Sequence, residues 1–331
     1  MRRVVAGLLP VLALCACERQ ATETPDGAAR PEPVVVYASY EDQNYLPSLL
    51  AEFTRDSGIP VSVRHRPEEQ IVSEVIEKRD SPRADLLLTR SVHGAWRAAA
   101  EGALRPLQSE AVDGLVPEWL RDPDGYWTAT GIDTIGVVCR ADSQRDCDSV
   151  ASYEDLSEPE FRGRLCLSTS SLAVNRTVIA GLIADHGSRG AEILVRGWVR
   201  NLALPPYEYE QALLQAVEAG TCRLAVVSGN AFREFGKPTV TAVRPRPGYF
   251  NVTAAGVGRH ARSPDAARRL VEWLVAEDAQ AAQFAATGLR PVNSAVAAGS
   301  FAFPAAGKRN AGIVGLWETA AIKLAERARW D

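Results

Sequence analysis

Three short apolar runs, each leading into a turn and then a helix, do most to limit what this chain can fold into. They lie within Val34-Val35-Val36-Tyr37, Ala84-Asp85-Leu86-Leu87-Leu88-Thr89 and Cys222-Arg223-Leu224-Ala225-Val226-Val227. A strand with one wet face alternates polar and apolar residues, whereas an unbroken apolar run needs cover on both faces. Strands of that kind, alternating with helices, predict an α/β fold with a parallel, doubly wound sheet. Strand ends and helix starts converge in such a sheet, and ligands gather at the backbone N–H groups left free there. Ser39-Tyr40-Glu41, Arg90 and Ser228-Gly229-Asn230 follow the three runs and are the first places to seek a binding site.

The remaining elements fit this frame. Leu46, Leu49, Leu50 and Phe53 have helical spacing, Val61-Ser62-Val63 reads as a strand, and residues 68–79 read as an amphipathic helix. A change of character at Gly131-Ile132-Asp133-Thr134 precedes a strand at 135–138. A strand at 165–167, a hydroxyl-rich turn Ser168-Thr169-Ser170-Ser171 and a helix through Val174, Val178 and Ile183 come next. Helices are expected at 191–201, 211–219, 264–276, 279–286 and 313–328, and a strand at 254–258. The roughly 300 residues of the body exceed what one hydrophobic core organises. Two lobes are therefore expected, one from 34–131 with 249–297, the other from 132–248 with 298–331.

The start of the chain reads as an export signal over residues 1–17. Arg2 and Arg3 precede an apolar run too short to span a bilayer. Leu14-Cys15-Ala16-Cys17 resembles a lipobox, which makes Cys17 the lipidated first residue and anchors the protein at a membrane surface. Residues 18–33 are polar and rich in Ala, Pro and Thr, the composition of a flexible tether. Export places Cys139, Cys147, Cys166 and Cys222 in an oxidising compartment, where an even number points to disulfides. Cys139 and Cys147 flank a polar loop, and a Cys166–Cys222 bridge would join neighbouring strands; free buried thiols are the alternative. A net charge of −4 without a basic cluster argues against nucleic acid. His65, His93, His186 and His260 sit near no candidate nucleophile, and Ser228-Gly229 lacks a nucleophile elbow's preceding glycine, so no catalytic constellation is expected.

Several short stretches occur in a shared family order. They are Tyr37-Ala38-Ser39, Ser81-Pro82-Arg83-Ala84-Asp85-Leu86, Leu120-Arg121-Asp122-Pro123-Asp124-Gly125-Tyr126-Trp127, Tyr153-Glu154-Asp155-Leu156 with Phe161-Arg162-Gly163-Arg164, Gln215-Ala216-Val217-Glu218-Ala219-Gly220, and Pro291-Val292-Asn293. In these the chain resembles bacterial type II periplasmic solute-binding proteins, in particular the ferric-iron-binding group that serves ABC importers. The resemblance implies a two-lobed type II periplasmic binding protein fold with a ligand cleft between the lobes, hinged closure, and delivery to an inner-membrane ABC permease. A lipid-anchored monomer on the periplasmic side, with no cofactor, is the expected form.

This sequence departs from the ferric pattern where the metal would bind. The two adjacent tyrosines of the second lobe are replaced by Asn230 and Ala231. A first-lobe histidine is replaced by Glu41, an acidic residue after the third strand by Arg90, and an arginine near the crossing by Ile132, Asp133 and Thr134. No resident metal is expected. The ligand residues expected instead are Ser39, Tyr40, Glu41, Arg90, Asp133, Thr134, Ser170, Ser171, Tyr209, Ser228, Asn230, Tyr249 and Asn251. Arg90 suits an acidic group, Asn230 a neutral polar one, and Tyr40, Phe232, Tyr249 and Phe250 an organic body. The preferred ligand is a small organic molecule. Ferric iron on a set rebuilt from Tyr40, Glu41, Asp42 or Tyr209 is the first alternative, and an apolar lipid-like ligand the second.

Overall fold

A computed structural model describes residues 32–39, 42–77, 84–293, 295–296 and 311–331. The leader, the lipidation site Cys17, the tether as far as Pro31, and both Tyr40 and Glu41 lie outside the described residues. The chain opens with β1 (Val34–Ser39), α1 (Leu46–Ser57), β2 (Val61–Arg66), α2 (Glu68–Glu77), β3 (Leu86–Thr89), α3 (Val92–Ala100), β4 (Leu104–Arg105) and α4 (Glu110–Leu115). The long β5 (Thr128–Arg140) leads to α5 (Gln144–Asp148), β6 (Leu165–Cys166), α6 (Ala173–Asn201), α7 (Glu210–Glu218), β7 (Leu224–Ser228), α8 (Gly229–Phe235) and β8 (Val240–Val243). The chain then runs through β9 (Phe250–Gly258), α9 (Pro264–Leu274) and α10 (Glu277–Thr287), and closes with α11 (Gly312–Ala328).

The strands form one sheet in the order β2-β1-β3-β9-β5-β7-β6, with β4 added to β9 and β8 to β5. Its flanks are parallel, as expected: β1 with β2 and β3, and β6 with β7. Its centre is not. β9 runs antiparallel to β3, β4 and β5, and β5 runs antiparallel to β7 and β8. The wholly parallel sheet expected from the sequence is thus corrected to a mixed one. An apolar run reports cover on both faces, not strand direction, and β9 is buried along its whole length.

β5 serves two cores. Residues 128–134 pair with β9, and residues 135–140 pair with β7 and β8. Ile132 packs in a core with Phe53, Leu86, Trp127, Val252 and Leu270. Ile135 packs in another with Tyr153, Val178, Trp198, Leu224 and Trp330. On β7, Leu224 and Val226 face that second core while Ala225 and Val227 face a third, with Leu213 and Phe235. That alternation explains the unbroken apolar run.

Buried Asp85 ties three elements at one point: its carboxylate accepts from the Val35, Arg262 and Ser263 backbone N–H groups at 2.8, 2.7 and 3.1 Å. The two helices expected over 174–201 form the single element α6, broken at Gly187 (φ 67°, ψ 167°). Both expected disulfides form. Cys139–Cys147 ties the end of β5 to α5, and Cys166–Cys222 holds β6 beside the lead-in to β7, each with Cα atoms 5.8 Å apart.

Candidate ligand-binding site

The site begins with two turns that are built alike. In the β3–α3 turn, Glu68 at the start of α2 accepts the Arg90 N–H at 2.5 Å and the Ser91 hydroxyl at 2.6 Å. In the β7–α8 turn, Glu210 at the start of α7 accepts the Ser228 N–H at 2.5 Å and the Ser228 hydroxyl at 3.1 Å. Each carboxylate takes donors that a helix start would otherwise offer to a ligand. Burial pushes Glu68 up to about 7, against the lowering effect of those donors, and it raises Glu210 as well.

Between the turns, β5 and β9 place Asp133 directly opposite Asn251. Asp133 Oδ1 accepts the Asn230 N–H at 3.0 Å. Burial pushes Asp133 up to about 7; Glu210 adds to the rise, while the Asn230 bond and Arg90 oppose it. Gly229 lets α8 lie close against β5, since a Cβ there would lie 2.6 Å from Thr134 Oγ1. Asn251 donates to the Arg90 carbonyl at 2.6 Å. Its own carbonyl oxygen is buried and, among the described residues, has no hydrogen-bond partner.

Arg90 is the cation of this group. Its Nη1 donates to Asp42 Oδ1 at 2.9 Å, and Asp42 is buried. Burial works against the Arg90 charge, but Asp42, Tyr45 and Asp133 outweigh it and hold the guanidinium above its ordinary value. Burial, reinforced by Asp42, holds the Tyr45 phenol well above its usual range. A cavity of about 630 Å3 opens here, lined among others by Tyr45, Glu52, Arg90, Asn230, Arg233 and Gln283. An arginine offers five N–H donors in a planar fork and Asp42 takes one, so the cavity meets both a cationic fork and neutral amides.

Of the residues expected from sequence, Arg90, Asp133, Ser228, Asn230 and Asn251 come together, with Thr134 alongside. Ser39 is buried at the end of β1, its carbonyl 2.9 Å from His65 Nδ1. Tyr209 directly precedes the Glu210 that pins the β7–α8 turn and is 66% exposed. Ser170, Ser171 and Tyr249 have other partners. Ser170 is bound through its N–H and hydroxyl to the Asp331 carboxylate, and the Ser171 hydroxyl is 2.6 Å from Thr169 Oγ1. Tyr249 sits in the second core, 4.9 Å from the Tyr153 ring, with its hydroxyl donating to Asp185. Phe250 packs against Trp119, while Phe232 lines a second cavity. The sequence reading passed over Tyr45, Glu68 and Gln283. The one available signal was the amide pair Gln280 and Gln283 in an otherwise apolar stretch of α10.

Comparison with known proteins follows the same outline. The family profile described as bacterial extracellular solute-binding protein matches residues 81–309. Iron uptake protein A1 of Synechocystis is 28% identical over 247 residues, covering 70% of this chain and 68% of the relative. A Trichodesmium protein (IdiA, FutA), solved in complex with iron and citrate ligands, superposes with a TM-score of 0.82 at 24% identity, over 91% of this chain and 100% of its own. The ferric binding protein of Campylobacter jejuni gives a TM-score of 0.80 at 20% identity, over 89% and 99%. Its fold is therefore that of the periplasmic binding proteins, and the chain belongs to the bacterial extracellular solute-binding protein family.

Proposed function

We propose that this chain is an envelope-held solute-binding protein that captures a small organic ligand carrying an acidic group and passes it to an inner-membrane permease of the ABC type. Arg90 carries this reading. Glu68 and Asn251 pin its backbone, Asp42 takes one arm of its guanidinium, and the remaining donors line the first cavity with Asn230 and Gln283. A planar fork of this kind matches a carboxylate or phosphate. In this reading the lobes are 34–131 with 249–297 and 132–248 with 298–331, they close about β5 and β9, and a lipid on Cys17 holds the protein at the membrane. Among the described residues no helix is long and apolar enough to cross a bilayer.

The names of the relatives favour a second reading, iron. Asn230 and Ala231 offer no phenolate, burial raises the Tyr45 phenol, and Tyr209 is exposed. Iron in this site would arrive already ligated by an organic acid, with the acid meeting Arg90 and the metal drawing its hard donors from the chelator.

Native mass spectrometry of the protein purified from its own host, before and after denaturation, separates the readings. An iron-free organic acid supports the first, and iron released together with an acid the second. Bare iron or an extracted lipid overturns both. Arg90→Ala should weaken the recovered ligand by about ten- to a hundredfold, as loss of a charge-assisted bond requires.

A further inference from the structure

Four of the residues that line the first cavity are charged: Arg90, Arg233, Glu52 and Glu234. The two cations are engaged within the protein. Arg90 donates to Asp42 at 2.9 Å, and Arg233 donates to the Phe284 and Ala285 carbonyls at 2.7 and 3.2 Å. The two carboxylates are not. Among the described residues, the side chains of Glu52 and Glu234 have no hydrogen-bond or ion-pair partner. Glu234 is exposed, but Glu52 is half-buried, where a carboxylate gains more from a partner than it would in open water.

Helix geometry sets where these carboxylates stand. Tyr45, Ser48, Leu49 and Glu52 all line the cavity, a spacing of three and four that lays one face of α1 along it. Tyr45 caps α1 close enough to Asp42 and Arg90 for both charges to act on its phenol. Glu52 follows seven residues later, roughly 10 Å along the axis at ~1.5 Å per residue. α8 has a similar layout. Asn230 bonds Asp133, whose charge acts on Arg90, and Glu234 follows Asn230 by one turn. Both carboxylates thus stand one to two helical turns beyond residues that flank Arg90. Acidic groups also outnumber the guanidinium around it, since Asp42 takes one arm and the Arg90 charge acts on Asp133 and Glu210. A plain anion meets that field unfavourably, and a ligand with a positive end meets it favourably.

We propose that the first cavity is fitted to a zwitterion, with the acidic group on Arg90 and an ammonium group on Glu52, about two helical turns away. The inference rests on the reading given for Arg90 and narrows its ligand from organic acids at large to the ω-amino acid type. The chain between the two charges runs along Ser48 and Leu49. Glu234 meets the same ammonium group from α8. α1 packs on the first core and α8 on the third, so one cation shared by both carboxylates favours the arrangement in which the two helices approach.

The probes are 6-aminohexanoate and hexanoate, which differ only in the terminal ammonium group, each titrated calorimetrically into the purified protein. 6-Aminohexanoate should bind at about 1 mM or tighter, and about fivefold or more tighter than hexanoate. Glu52→Gln, which removes the charge and keeps the shape, should bring that ratio below about twofold. Glu326→Gln makes the same change at an exposed position of α11 and should leave the ratio within about twofold of its original value. Absence of 6-aminohexanoate binding overturns the proposal, as does a preference over hexanoate that Glu52→Gln leaves intact. Equal binding of both probes, lost in Arg90→Ala, overturns the zwitterion while supporting the acid reading of Arg90. Binding of 6-aminohexanoate that survives Arg90→Ala overturns both.

Discussion

Glu68 is half-buried and accepts two hydrogen bonds, from the Arg90 N–H and the Ser91 hydroxyl. Burial outweighs those bonds and lifts its pKa from 4.5 to about 7. The folded protein therefore keeps a proton between those values that the unfolded chain has released. Stability from this group is fully present below pH 4.5 and falls as the pH rises through about 7. Glu68→Gln should flatten that fall, because an amide carries no charge and its oxygen still accepts the Arg90 N–H. Unfolding free energies from urea titrations at about pH 5 and about pH 7.5 should differ less in the variant, by on the order of 1–2 kcal/mol given partial solvent screening. An equal fall in both proteins would show that Glu68 does not titrate there. At this scale the sequence revealed the residues that directly follow strands, Arg90, Ser228 and Asn230, because chain position alone brings them to the site. Glu68 pins a turn 22 positions away and leaves no local pattern. Tyr249 was expected beside Phe250 as an aromatic wall for an organic ligand, but neighbouring residues of an extended chain face opposite ways. Tyr249 packs in the second core and Phe250 in the first.

The break in α6 also shows how an element's course can be written in its residues. Asp185-His186-Gly187-Ser188-Arg189-Gly190 interrupts the apolar spacing, which is why the sequence reads as two helices there. The structure keeps one element and places Gly187 at φ 67° and ψ 167°, a region essentially closed to other residues. An added Cβ at Gly187 meets nothing within 4 Å, so backbone strain is the only cost of alanine there. Gly187→Ala should destabilise by ~1–3 kcal/mol. Gly114 lies inside α4, is exposed, and likewise has nothing within 4 Å of an added Cβ, but its φ is ordinary. Gly114→Ala should stabilise by ~0.5–1 kcal/mol. Chemical denaturation of both variants checks the pair, and shifts of the same sign would refute the conformational account of the break. Strand direction has no comparable mark in the sequence. β5 and β9 carry small and apolar residues that suit either orientation, and only the return of the chain through β9 sets the centre antiparallel.

On the scale of the whole molecule, length and the order of family stretches were enough to expect two lobes, but the contacts that would join them were not legible. These contacts bring together residues far apart in the chain. Arg233 on α8 donates to the Phe284 and Ala285 carbonyls at 2.7 and 3.2 Å, in the last turn of α10, and lies over the Phe284 ring at 5.1 Å. α8 belongs with the third core, whereas Ala282 of α10 packs against the first. A C-terminal turn of helix has carbonyls to spare, and a guanidinium satisfies them while favouring the negative end of the helix. Arg233 is exposed, so these bonds add about 1 kcal/mol or less to folding. In the proposed closure of the lobes the same energy would weigh more heavily, since about 1 kcal/mol is a fivefold change in population. Arg233→Ala should therefore enlarge the radius of gyration of the ligand-free protein in X-ray scattering while leaving its melting temperature nearly unchanged. A lower melting temperature with an unaltered radius would make Arg233 a staple of the fold rather than a latch between its lobes. Arg233 also lines both cavities, so a latch of this kind would tie them together.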